Sequence, residues 1–344
     1  MLRLVRMGDQ GFEQLWNCLL QGVDCLDALY GRVSLEFYRE YCGSSDVDDL
    51  SFVVVEYARP LCGVRAFRHI LKGGVVEISC FGLPLLFVEQ QKAPAIDLAR
   101  AQRLLQKDIE LLLQRQPIGT IIRYRDRLHG GRLSSLCRFL LDQGGKASPS
   151  FSQVIDLSLS EDALHRGLTK SYKWAVNWGK KNLAINILNK NSITSVHIEQ
   201  FRQLHIESAG RETRTQKSWT LQYNMVCAGE AFCVFAFSEG KLVSAALFPY
   251  SRSHCFYGVS ASCRDLFDKP ISHGVIWVAV LYAKTLGLRY FEMGEQLFPM
   301  TPRTSPSQKE LGISFFKRAF GGESLVFLDV HLQKNGGVEP SPLE

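Results

Sequence analysis

Cations at regular spacing are the most evident chemical feature of this 344-residue sequence. Between Ser158 and Lys181 the periodicity is helical, with Leu164, Leu168, Ser171, Ala175 and Trp178 on one stripe and Arg166, Lys170, Lys173, Asn177 and Lys181 on another. The apolar stripe is expected to be buried. The basic stripe suits either a solvated face on a connecting helix or a wall for the phosphates of a nucleotide, a lipid carrier or a tRNA end. Further along, Arg211, Arg214 and Lys217 form a cationic turn with the same two uses. Two carboxylates, Glu292 and Glu295, lie near the end of an expected strand. Either can take a proton from an incoming ammonium if burial raises its pKa, and either serves equally well at a surface. His273, at the start of a helix, is a further base candidate, although a histidine in such a place is more often simply solvated. Tyr223, Tyr250 and Tyr257 either line a cleft or pack in the core.

Several chemistries find no support in the residue pattern. No Ser-His-Asp or Cys-His signature stands out for nucleophilic catalysis. The ten cysteines are scattered without a C-x-x-C pair, and the eight histidines are equally dispersed, so neither a disulfide framework nor a zinc site is expected. The net charge of +6 fits anionic ligands without requiring them. No apolar run approaches the roughly 20 residues of a membrane span. The opening residues run from positive charge straight into Gly8 and Asp9, without the apolar region of a secretory signal, which makes the cytoplasm the expected location.

The elements that must position these residues can be read from apolar periodicity and turn chemistry. The first half gives a strand over Leu2–Met7, helices over Phe12–Leu20 and Leu35–Tyr41, and strands over Ser51–Tyr57, Cys62–Leu71 and Val75–Phe81. A long amphipathic helix over Ile96–Gln114, a strand over Gly119–Arg125, a helix over Arg132–Leu141 and a strand over Phe151–Leu157 follow. The second half repeats the order. A strand over Leu183–Leu188, two helices ending at Ala209 and Cys227 and strands over Ala231–Phe237, Leu242–Tyr250 and His254–Ser260 come first. Then come a helix over Ser272–Leu286, a strand over Leu288–Met293, a helix over Lys309–Phe320 and a strand over Ser324–His331. Each half reads β-α-α-β-β-β-α-β-α-β. The order repeats although no residue identity between the halves is visible. The expected organisation is a first α/β domain over 1–157, a linking helix over 158–181 opening at a Ser158-Leu-Ser-Glu161 capping box, a second α/β domain over 182–331, and a disordered tail from 332.

This order resembles the GNAT acyltransferase fold, and two such units joined by a basic helix resemble the FemAB family and its relatives in surface-polysaccharide gene clusters. Three segments carry the resemblance. Ala283-Lys-Thr-Leu-Gly-Leu-Arg-Tyr-Phe-Glu-Met-Gly294 is similar to the family's helix-to-strand step. Gly312-Ile-Ser-Phe-Phe-Lys-Arg-Ala-Phe-Gly-Gly322 is similar to its G-x-x-x-F-K-x-x-F-G-g motif. Ser208-Ala-Gly-Arg-Glu-Thr-Arg214 is similar to an Arg-containing turn after its first helix.

The resemblance implies two tandem GNAT-type mixed-sheet domains. The second would move an acyl or aminoacyl group onto an amine of a cell-envelope glycan, amino sugar or peptidoglycan precursor. It singles out Lys317 as the cation for the developing negative charge or for the donor's phosphate or carboxylate. Phe316 would lie beneath the donor, and Gly321 and Gly322 would allow close backbone approach. Lys170, Lys173, Arg211, Arg214 and Lys217 would hold phosphate, and Tyr257 would line the cleft. Glu292, Glu295 and His273 are the candidate bases. The glycine-rich Q/R-x-x-G-x-G/A loop of CoA-dependent GNAT enzymes is missing at Gln90-Gln-Lys-Ala-Pro-Ala and at Asp268-Lys-Pro-Ile-Ser-His-Gly. The donor is therefore open between acyl-CoA and aminoacyl-tRNA, each a co-substrate rather than a tightly bound cofactor. The expected partners are a small-molecule or lipid-linked amine, tRNA if the donor is an aminoacyl ester, and no DNA. The alternative reading is a non-catalytic module that binds a glycan or a biosynthetic complex.

Overall fold

The computed structural model describes residues 1–23, 25–71, 73–128, 131–299 and 305–334. By contact the chain divides into two compact units. The first comprises Met1–Asp24, Cys42–Ser150 and Val326–Glu344, and the second Cys25–Tyr41 and Phe151–Leu325. A stretch of the N-terminal half thus belongs to the second unit and the last strand returns to the first, whereas the sequence pattern places contiguous domains at 1–157 and 182–331.

In the first unit, β1 (Leu2–Arg6), β3 (Phe52–Glu56), β4 (Arg59–Arg65) and β7 (Leu86–Glu89) form one sheet, in the order β1-β3-β4-β7. Strands β2 (Ser45–Asp49), β5 (Phe67–Ile70), β6 (Val76–Ser79) and β8 (Ile121–Asp126) continue as β8-β6-β5-β2, with the end of β16 (Glu323–Gln333) antiparallel on β8. Helix α1 (Phe12–Gln21) packs Phe12, Trp16 and Leu19 on Val53 and Val55. Helices α3 (Ala95–Gln114) and α4 (Ser135–Asp142) cover Phe52 and Val54 on the opposite face. A strand covered on both faces reads as an unbroken apolar run, which is why Phe52-Val-Val-Val shows no alternation. The expected strand over Cys62–Leu71 divides at Ala66 into β4 and β5, which join different sheets. The tail expected from 332 begins two residues too early, because Leu332 and Gln333 pair with β8; beyond Lys334 it lies outside the described residues.

The second unit holds β10 (Ala184–Leu188), β11 (Ala231–Ser238), β12 (Lys241–Pro249) and β14 (Ser260–Ser262) in that sheet order. Alongside these run β13 (His254–Phe256), β15 (Tyr290–Glu295) and the second half of β9 (Lys146–Asp156), ordered β13-β15-β9. Alternate residues of β11 enter opposite cores. Phe232, Val234 and Ala236 meet α6 (Lys170–Asn182) and α9 (Ile271–Thr285), and Cys233 and Phe235 meet α7 (Ser195–Ala209) and α8 (Gln216–Cys227). The expected linking helix is two helices, α5 (Glu161–Gly167) and α6, because Leu168 turns to extended backbone and buries its side chain. Its cap is Ser160, which accepts from the Ala163 N–H at 3.2 Å, rather than Ser158. Leu164, Leu168 and Ala175 of the apolar stripe are buried, and Ser171 is exposed.

Helix α2 (Arg32–Cys42), most of which belongs to the second unit, is held there by a carboxylate at its N-terminus. Glu230 accepts from the Val33 and Ser34 N–H groups at 3.1 and 3.0 Å, satisfying donors that a helix start leaves open. Just before it, the Ser251 hydroxyl donates to the Leu26 carbonyl at 2.6 Å, and the Leu26 N–H donates to Ser253 Oγ at 3.0 Å. Glu230→Ala should cost about 1–3 kcal/mol by leaving those N–H groups unpaired. Hydrogen exchange should accelerate over 28–41 and not over β11 and β12; uniform exchange would show that α2 is held by other means.

The first unit contains a closed polar chain. Ser79 donates to Glu77 Oε1 at 2.6 Å, and its oxygen lies 2.9 Å from His69 Nε2, whose Nδ1 lies 3.1 Å from Ser44 Oγ. Burial lowers the His69 pKa, with Glu77 opposing and Arg123 adding to the effect. The unfolded chain therefore binds a proton near the ordinary value of about 6.5 that the folded unit refuses. Stability should be flat above that pH and fall as the pH drops below it, less so in His69→Asn. Equal pH dependence in the two proteins would remove His69 as the cause.

Candidate active site

The site in the second unit is built on the loss of one partner by the strand that follows β12. The Tyr257 N–H donates to the Glu292 carbonyl of β15 at 2.8 Å, and on the strand's other edge the Gly258 N–H donates to the Leu247 carbonyl of β12 at 3.1 Å. Pairing with β15 is parallel from His254↔Tyr290 to Phe256↔Glu292 and is not continued beyond Tyr257. Pairing on the β12 edge runs from Tyr250↔Cys255 through Ala246↔Ser260 to Ser244↔Ser262. Gly258 is required at the fork, because a Cβ there would lie 2.8 Å from the Leu247 carbonyl oxygen. On its other side β15 is bulged against β9 between Glu292 and Gly294, where Gly294 takes φ +95°. The two strands therefore diverge beyond Glu292. Backbone of this kind is where a substrate can pair with the sheet.

Lys317, in the last turn of α10 (Gln308–Arg318), reaches into this divergence. Its Nζ donates to the Glu295 carbonyl at 3.0 Å and would lie 3.2 Å from a Cβ on Gly294, with the Phe256 ring 3.6 Å from the same point. Gly294 thus leaves room for the amine as well as forming the bulge. Loss of water lowers the Lys317 pKa, against the opposing pull of the Glu295 and Glu292 carboxylates.

Glu292 is buried one step along the sheet. Ser152 donates to its Oε1 at 2.6 Å, and His254 Nε2 lies 3.0 Å from its Oε2. The Ala28 N–H donates to His254 Nδ1 at 3.3 Å, which leaves the ring proton on Nε2, close to the carboxylate but outside hydrogen-bond geometry. Glu295, the other expected carboxylate, is exposed, and its backbone rather than its side chain meets Lys317.

The remaining candidates disperse. His273 and Phe316 do come together, but in an aromatic cluster: the His273 ring centroid is 4.5 Å from Tyr172 and 5.4 Å from Phe316, and burial lowers its pKa. Gly321 and Gly322 allow close approach to the protein's own backbone, since a Cβ would meet the Gly167 carbonyl oxygen at 2.8 Å and that of Val154 at 2.2 Å. Lys170 is exposed and Lys173 half-buried on α6. Arg211 is exposed, and Lys217 pairs with Glu40 at 2.8 Å. Tyr257 is half-buried and donates to Ser260 Oγ at 2.8 Å; burial raises its pKa. Arg214 turns inward instead, donating from Nη1 to His205 Nε2 at 2.8 Å and lying 5.5 Å from the Tyr41 ring centroid.

Sequence reading missed His254, Ser152 and Phe256. No spacing signal marks them, because Ser152 and Glu292 are 140 positions apart and Ala28 and His254 are 226 apart.

No family model matches the sequence, and no curated protein matches it. Solved structures do. The crystal structure of FemX superposes with a TM-score of 0.61 at 11% identity, covering 87% of this chain and 91% of FemX. A tandem GNAT protein from the clavulanic acid biosynthesis pathway gives 0.55 at 12% identity, covering 98% of this chain and 100% of that one. The C-terminal domain of a putative lysylphosphatidylglycerol synthetase from Agrobacterium fabrum gives 0.58 at 11% identity, covering 94% and 91%. At such identity the likeness speaks for architecture, and that architecture is the one the element order predicts: the chain has the fold of the FemAB-like tandem GNAT proteins.

Proposed function

We propose that the second unit transfers an acyl or aminoacyl group from an activated donor to an amine of a cell-envelope glycan, amino-sugar or peptidoglycan precursor. The observation that carries this reading is the Lys317 ammonium lodged where β14 and β15 diverge. The neutral amine attacks the donor carbonyl, the carbonyl π electrons move to oxygen, and the Lys317 cation stabilises the resulting oxyanion. Collapse restores the carbonyl and expels a thiolate or a ribose hydroxyl oxygen. A lysine whose pKa is lowered is a better acid for that leaving group than an ordinary one. The proton lost by the amine goes to Glu292, whose carboxylate Ser152 and His254 hold in place.

The start of α9 bears on the donor. CoA-dependent members of the fold hold pyrophosphate on leading helix N–H groups, yet here the Ile271 N–H donates to Lys269 O at 2.9 Å and the His273 N–H to Pro270 O at 3.2 Å. Gly274, one turn in, packs directly on Gly179 of α6. This favours an aminoacyl ester over acyl-CoA. The basic residues Lys170 and Lys173 then face the donor's phosphates, and contact with a membrane-linked acceptor is peripheral.

Assays with labelled acetyl-CoA and with charged tRNA against a panel of amino sugars and precursor peptides should yield an amide. Lys317→Ala should lower the rate about 10²- to 10³-fold without loss of fold, and unchanged turnover would remove the site. Because burial lowers the Lys317 pKa, activity should decline at alkaline pH below the ordinary lysine value of about 10.4. Lys317→Arg should abolish that alkaline limb; its persistence would assign the limb to another group.

A further inference from the structure

The second unit has a cleft of about 190 Å³ beside the fork. Its apolar wall includes Phe37 and Tyr38 of α2 and Phe256 of β13; its polar lining includes Arg214 and Gln222. Gln222 is 1% exposed, and its side-chain Oε1 is buried without a hydrogen-bond partner; Arg214 Nε is likewise buried and unpartnered. Among the described residues no carboxylate pairs with Arg214, which instead meets the His205 ring nitrogen and the Tyr41 ring face. A buried guanidinium N–H without an acceptor and a buried amide oxygen without a donor are each costly, and native proteins seldom leave them so unless something else completes them.

The two orphan groups specify complementary ligand chemistry. The guanidinium requires an anionic acceptor and the amide oxygen requires an N–H or O–H donor. A phosphate diester supplies only the first, and its remaining oxygens would face the Gln222 oxygen. Aromatic side chains take a small apolar body. We infer that this cleft binds an amino or hydroxy carboxylate of about the size of a single amino acid, with its carboxylate on Arg214 and its donor on Gln222. The ligand is either a free acid or the terminal residue of a larger acceptor. Phe256 forms part of its wall and also approaches Gly294 beside the Lys317 amine, so the bound group lies next to the reaction cleft. That it belongs to the acceptor rests on the transferase reading above; the binding itself does not.

The test is calorimetric titration of the full chain with L-phenylalanine, phenyllactate and D-alanyl-D-alanine, and with the amide of each. Each acid is expected to bind at least tenfold more tightly than its amide. Arg214→Gln should remove that preference, and the near-isosteric Gln222→Leu should weaken binding severalfold while thermal melting shows both variants folded. Tighter binding of the dipeptide than of the free acids assigns the terminal residue of a larger acceptor, and the reverse assigns a free acid. Equal binding of acids and amides, or no binding of any acid at millimolar concentration, overturns the inference. Lys317→Ala should bind the acids as the parent does, so loss of transfer with binding intact separates failure of the catalytic reading from failure of this one.

Discussion

Successive N–H groups of a strand point to opposite edges, and those of Tyr257 and Gly258 donate to β15 and to β12 respectively. A sheet strand ordinarily keeps one partner on each edge, and its polar groups are satisfied by continuing to do so. Here the β12 partner is kept through Ser262 while the β15 partner is lost after Tyr257, so β15 and β14 part company and leave a wedge beyond Glu292. Gly258 permits the near approach of Leu247, and the Gly294 bulge turns β15 aside. The first unit shows the same device, with β6 pairing in parallel with β8 while β7 pairs with β4.

A wedge in a sheet exposes polar backbone inside a protein, and something must answer it. In the second unit the answer is a cation, since Lys317 bonds the Glu295 carbonyl at the open edge. Its charge is balanced nearby by Glu292, which is itself fixed by Ser152 and His254. A half-buried cation held in place beside an aromatic ring acts more strongly on a nascent oxyanion than a fully solvated one would. In the proposed reaction this arrangement takes the place of a nucleophilic side chain.

Much of this was legible in the residue pattern, and the omissions have physical causes. The order of elements was readable because apolar periodicity reflects burial, and α7, α8, β11, β12 and α9 all bury a face. Lys317 and Glu292 stand out as candidates in the sequence because they fall in or beside motifs. Helix α5 was merged with α6 because Leu168 keeps the apolar phase across the break while its backbone leaves the helix. The end of pairing with β15 after Tyr257 leaves no mark in the periodicity, so the strand after β12 reads as uniform along its length. His254 was not singled out, since its partners Ala28 and Glu292 become neighbours only in the fold. The allegiance of 25–41 to the second unit was equally hidden, because it depends on Glu230 reaching a helix N-terminus 197 positions earlier in the chain.

The proposed reaction requires the donor carbonyl to sit in the wedge between Gly258 and Gly294. A crystal structure with a hydrolysis-resistant donor mimic, either an aminoacyl-adenosine amide or an acyl-CoA thioether, tests this. The carbonyl oxygen of one of them is expected about 3 Å from Lys317 Nζ, displacing the Glu295 carbonyl as its partner. A mimic bound with its carbonyl elsewhere, and Lys317 still on Glu295, would contradict it.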